Sequence, residues 1–153
     1  MLHAPLSLGE ILLPALLRDP GQPALILEDG TVVTRGEMAQ AAAGYLAALD
    51  HAGLRAGDRV GVLSRNRPEV VYLCNALALA NLCVVPLHPM GSIADFDHVA
   101  GLTGIKTLVF DPTHFEEVAA ELGRRFPGLR LLFPKGMIST RRQAPRLLEL
   151  RHG

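Results

Sequence analysis

Residue types able to do chemistry sit in four places along the chain. Near its end, Pro134-Lys135-Gly136 is followed by Ser139-Thr140. In a phosphate loop a lysine meets the phosphates while glycine-rich backbone offers its amides. Here Pro-Lys-Gly reads either as the trailing half of such a loop, with the glycine-rich half missing, or as three residues that happen to sit together. His88, Pro89 and Met90 follow the apolar run Cys83-Val84-Val85-Pro86-Leu87, and open α/β sheets meet their ligands at the carboxyl ends of strands. A loop histidine before proline is more often structural, so both readings stay open for His88. Asp95, Asp97 and His98, within "SIADFDH", resemble a metal cluster. Acids in a first helical turn, favoured by the helix dipole, are the simpler account. Cys74 has no base partner nearby in sequence, and a buried thiol is normally inert.

Other chemistries lack their signatures. No G-x-G-x-x-G follows an apolar run, and the turn after Ser64, "SRNRPE", lacks the glycines that let backbone approach a pyrophosphate. No G-x-S-x-G elbow supplies a hydrolase nucleophile, and no tightly spaced His or Cys pair suggests zinc.

The bulk properties narrow the classes further. The chain has 153 residues, enough for one compact domain. Fifteen basic and fifteen acidic side chains cancel, so no overall field favours nucleic acid or an anionic membrane. The short apolar run at the start has no Lys or Arg before it, unlike a secretory signal. Residues 70–82, interrupted by Asn75 and Asn81, are too few to cross a bilayer. Cys74 and Cys83 lie in apolar runs and read as reduced core residues, so a cytoplasmic location is expected.

These residues need elements to position them. Residues 6–17 are apolar all round and read as a short helix or docking arm. Apolar triplets at 25–27 and 31–33 flank Asp29-Gly30, a pair suited to a tight hairpin turn. Thr34 and Glu37 have capping-box spacing. Met38, Ala41, Ala42, Tyr45, Leu49 and Ala52 then share one helical face, and Gly53 ends the helix. "RVGVLS" reads as a strand, and Pro68 and Glu69 open a helix with little polar surface, covered on most sides. "CVVPL" is a strand, Ser92 caps a helix through Ala100, and "KTLVF" is a strand. A helix over 114–126 closes at Pro127-Gly128, and "LRLLF" is the last strand. Strands apolar on both faces and separated by helices imply an α/β fold. Its parallel sheet has helices on both faces, right-handed crossovers and a β-hairpin in front. Residues 1–133 form this unit. Residues 134–153, with five basic residues against one acid, read as a basic tail.

The order of pieces resembles the N-terminal part of the AMP-forming acyl-CoA synthetases and their adenylate-forming relatives. "PALILEDGTVVTRGEM" is similar to the family's opening hairpin and first core motif. "AGLRAGDRVGVLSRNRPEVV" is similar to its G-x-x-x-G-D-x-V stretch, and "ALALANLCVVPLHP" to its second core motif. "KTLVFDP" matches the strand that follows. The specificity lies in the ordered spacing over residues 23–112 more than in any single motif. Leu79-Ala80-Asn81 stands where Lys-Ala-Gly is usual, and Arg35 where Tyr is usual. Asn is the next best residue after Gly for a left-handed helix cap.

The resemblance implies a Rossmann-like subdomain of an ATP- and magnesium-dependent ligase. In that reaction a carboxylic acid forms an acyl-adenylate, and coenzyme A then displaces AMP. It implies that Lys135 and Gly136 are a remnant of the phosphate-loop region. His88, Pro89 and Met90 border the loop where the acyl pocket begins. The run of Thr, Ser and Gly before the lysine is replaced by "GLRLL". Either an internal segment is missing between about Leu132 and Phe133, or Pro-Lys-Gly is a chance match in a tail. The chain is expected to be an inactive fragment that binds no cofactor alone. The competing expectation is a non-catalytic α/β module, whose uncovered sheet edge or helix faces favour self-association.

Overall fold

The computed structural model describes residues 6–135, with Lys135 described by its backbone, and residues 146–150. Helix α1 (Leu8–Leu17) opens with a capping box between Ser7 and Glu10 and contains Pro14. Strands β1 (Pro23–Ile26) and β2 (Val32–Thr34) form the antiparallel hairpin. Gly30 at its turn adopts φ 82°, a conformation that costs glycine little. Helix α2 (Arg35–His51) starts at the Thr34–Glu37 capping box. It buries Met38, Ala42, Tyr45 and Leu49, four members of the face expected from the spacing.

Four parallel strands follow: β3 (Arg59–Leu63), β4 (Cys83–Leu87), β5 (Thr107–Phe110) and β6 (Arg130–Lys135). Between them run α3 (Pro68–Leu79), α4 (Ile93–Thr103) and α5 (Pro112–Arg125). A last strand, β7 (Arg146–Glu149), pairs antiparallel with β6, giving the order β4-β3-β5-β6-β7. The sheet thus reaches into the segment that sequence alone sets apart as a tail. Leu132, Phe133, Pro134 and Lys135 face Glu149, Leu148, Leu147 and Arg146. Pro134 has no N–H to offer β5, and the pairing of β5 with β6 accordingly ends at Val109–Leu132.

The two sheet faces carry separate cores. Leu63, Leu108, Phe110 and Leu131 pack with Phe96 of α4 and Phe115 and Leu122 of α5. Val60, Val62, Val109 and Leu132 pack on the other face with Tyr45 and Leu49 of α2 and Leu73 and Leu77 of α3. Each such Leu, Val or Phe contributes roughly 1.5–3 kcal/mol before entropy is subtracted. The chain steps from β3 to β4 with its helix on one face, then reverses through β5 to β6 with helices on the other. This change of face with direction is what a uniform right-handed crossover requires. No residue of α3 is exposed, because α1 and α2 cover it.

Helix α1 touches α3 through Gly9, where an added Cβ would lie 2.8 Å from the Ala78 carbonyl oxygen. Its other side leaves Leu8, Ile11, Leu13 and Leu17 exposed. Cys74 is half-buried, but Cys83 is exposed at the start of the edge strand β4. The apolar run around Cys83 therefore does not make it a core residue.

Asn81 adopts φ 53°. Its N–H donates to the Ala78 carbonyl at 3.1 Å, and the Leu82 N–H donates to Leu77 at 2.9 Å. This is the double closure of a left-handed helix cap, built on Asn instead of Gly.

Candidate functional site

In an open α/β sheet the ligand crevice lies where successive strands leave in opposite directions. Here that point is between the carboxyl ends of β3 and β5, since β4 lies on one side and β6 on the other. The Asp111 N–H donates to the Leu63 carbonyl at 2.9 Å and closes the two strand ends together.

Four charged or titratable side chains converge there. Arg67 precedes α3 with extended backbone and offers no side-chain cap, while Pro68 takes the first helical position. Asp111 caps α5, its Oδ1 accepting the Thr113 N–H at 3.0 Å. Its Oδ2 lies 3.1 Å from His114 Nδ1 and accepts from Arg67 Nη1 at 3.4 Å. Arg67 Nε is also 3.5 Å from Glu69 Oε2, an oxygen that is buried without a hydrogen-bond partner.

Asp111 is completely buried. Burial alone pushes its carboxyl up, but His114, Thr113 and Arg67 together outweigh it and hold the group below the ordinary carboxylate range. Burial first, then the Glu69 charge, push the nearby Tyr45 phenol up to about 12.

Ser64, Glu69, Asp111, Tyr45 and Pro134 border a remaining space of about 10 Å³, room for roughly one water. A nucleotide needs a pocket of roughly 300 Å³ or more, so the residues present do not fit one here. Arg67 is committed to the protein's own carboxylates.

The residues singled out by sequence lie elsewhere. His88 is exposed just beyond β4, and its Nδ1 accepts the Met90 N–H at 3.1 Å. The Gly91 N–H donates to the His88 carbonyl at 2.8 Å. The ring thus stabilises its own turn. Pro89 is half-buried and Met90 exposed. Lys135 ends β6, while Gly136, Ser139 and Thr140 lie outside the described residues. The sheet puts His88 and Lys135 at its carboxyl end but three strand spacings apart, about 14 Å.

Asp95 forms a capping box with Ser92, and Asp97 Oδ2 lies 3.6 Å from Arg125 Nη1. Among the described residues no group of three His, Cys, Asp or Glu could hold a metal ion. A separate groove of about 600 Å³ lies between α1, α3 and β4, lined by Leu8, Leu12, Cys74, Ala78, Leu82 and Val84 among others. It is apolar and lacks charged side chains.

The Arg67–Asp111–His114 cluster did not emerge from sequence reasoning. Asp111-Pro112 carries the local signal of a cap before a first-turn proline. Arg67 lies 44 residues away from Asp111, and only the topology brings it there.

Residues 15–144 match the AMP-binding enzyme family. The chain belongs to that family. The medium/long-chain-fatty-acid–CoA ligase FadD8 of Mycobacterium tuberculosis is 34% identical over 139 residues, which is 90% of this chain and 24% of the ligase. A feruloyl-CoA synthase from an Amycolatopsis species is 34% identical over 91 residues, 60% of this chain and 18% of that enzyme. This member of the AMP-binding family therefore spans about a quarter or less of the curated relatives it matches.

Among solved structures, a long-chain-fatty-acid CoA ligase described as putative, from Rhodopseudomonas palustris, aligns at TM-score 0.73 and 22% identity. It covers 84% of this chain and 32% of its own. The NpsA N-terminal subdomain of Klebsiella oxytoca aligns at TM-score 0.66 and 23% identity, covering 70% of this chain and 28% of its own. These likenesses show the fold: an α/β unit with a mostly parallel five-stranded sheet and a hairpin. No helix among the described residues is long and apolar enough to cross a membrane.

Proposed function

We propose that this chain is the N-terminal α/β unit of a cytoplasmic acyl-CoA synthetase, joining a carboxylic acid to coenzyme A through an acyl-adenylate. The observation that supports it most is the likeness to a fatty-acid–CoA ligase across 90% of the chain, on a fold of the same type. In the intact enzyme ATP, magnesium and coenzyme A are the cofactors and a fatty or other carboxylic acid is the substrate. Lys135 and Gly136 stand on the phosphate side of that enzyme, and His88, Pro89 and Met90 on the acyl side.

The described residues supply a scaffold. The Arg67–Asp111 pair ties the turn after β3 to the turn after β5 and fills the crevice between them. A unit so closed holds the strand ends in place but does not take a triphosphate, so catalysis by this chain alone is not expected. The test is ATP–pyrophosphate exchange by the purified chain with medium-chain, long-chain and aromatic carboxylic acids. Exchange no greater than in a control without acid is the expected result. Acid-dependent exchange by this chain would overturn the reading of it as a non-catalytic unit.

A further inference from the structure

We draw no further inference here: the strongest candidate, the apolar groove between α1, α3 and β4 that Leu8 and Leu12 line, carries nothing because no observation in the structure shows what covers it.

Discussion

Arg67 Nη1 and Asp111 Oδ2 lie 3.4 Å apart across the ends of two adjacent parallel strands. Asp111 is fully buried and Arg67 largely so, and the pair occupies the point where an open α/β sheet ordinarily receives a ligand. Removing one member of a buried pair strands the other's charge, which costs more than the pair itself contributes.

Asp111→Ala is expected to lower stability by roughly 3–5 kcal/mol, because it strands Arg67 and also uncaps α5. Asp111→Asn keeps a cap acceptor and should lose less. The folded-state pKa of Asp111 lies below its unfolded value, near 3.9. The contribution of the carboxylate is thus complete above that value and is lost as pH falls below it. Melting temperature followed from pH 7 downward should fall more shallowly below pH ~4 in Asp111→Asn than in the natural chain. Equal slopes would show that the buried carboxylate is not linked to folding.

Tyr45 reports on the same region from the alkaline side. Its phenol is pushed up to about 12, above the value of ~10 for an unfolded tyrosine. The stability from keeping the phenol neutral is complete below pH ~10 and is lost as pH rises toward 12. Near-ultraviolet absorbance should show tyrosinate appearing late and together with unfolding, and Tyr45→Phe should soften the alkaline loss of stability. Free ionisation of Tyr45 near pH ~10 in the folded chain would contradict its burial against Glu69.

Asn81 holds a left-handed backbone at the end of α3. Asn81→Ala should cost about 1–2 kcal/mol, a drop in melting temperature of roughly 2–8 °C for a domain of this size. Asn81→Gly should match or exceed the natural chain, since glycine takes that conformation freely. Thermal melts of the three proteins in one buffer check the ranking Gly ≥ Asn > Ala.

The parts of the fold legible in the sequence are those set by local rules. Asp29-Gly30 marks the hairpin, Thr34 and Glu37 mark the start of α2, and apolar runs mark β3 to β6 as strands, although only β3 and β5 are buried along nearly their whole length. Asn81 as a substitute left-handed cap follows the same logic. The helix expected over 114–126 begins instead at Pro112, because the Asp111 side chain caps it and proline takes the first helical position. Strand β7 escaped because Arg146-Leu147-Leu148-Glu149 is four residues with no stretch of alternation to read. Its place is set by pairing with β6.

The candidate site was less legible for the same physical reason. For His88 the sequence leaves a ligand role and a structural role open, and its Nδ1 accepts the Met90 N–H two residues away. Arg67 and Glu69 looked like ordinary helix-start residues, and Asp111 like the end of a strand. Their convergence depends on β3 and β5 being neighbours while β4 lies outside. That ordering is a property of the assembled sheet and leaves no mark on any short stretch.

The central claim, that this chain is the N-terminal α/β unit of an acyl-CoA synthetase, is tested most directly by a hybrid enzyme. In the M. tuberculosis ligase FadD8, the segment that aligns with this chain is replaced by this chain, and thioester formation from a long-chain fatty acid, ATP and coenzyme A is measured. The account predicts acyl-CoA formation by the hybrid and none by this chain alone. A hybrid that melts cooperatively yet forms no acyl-adenylate and no thioester would contradict it.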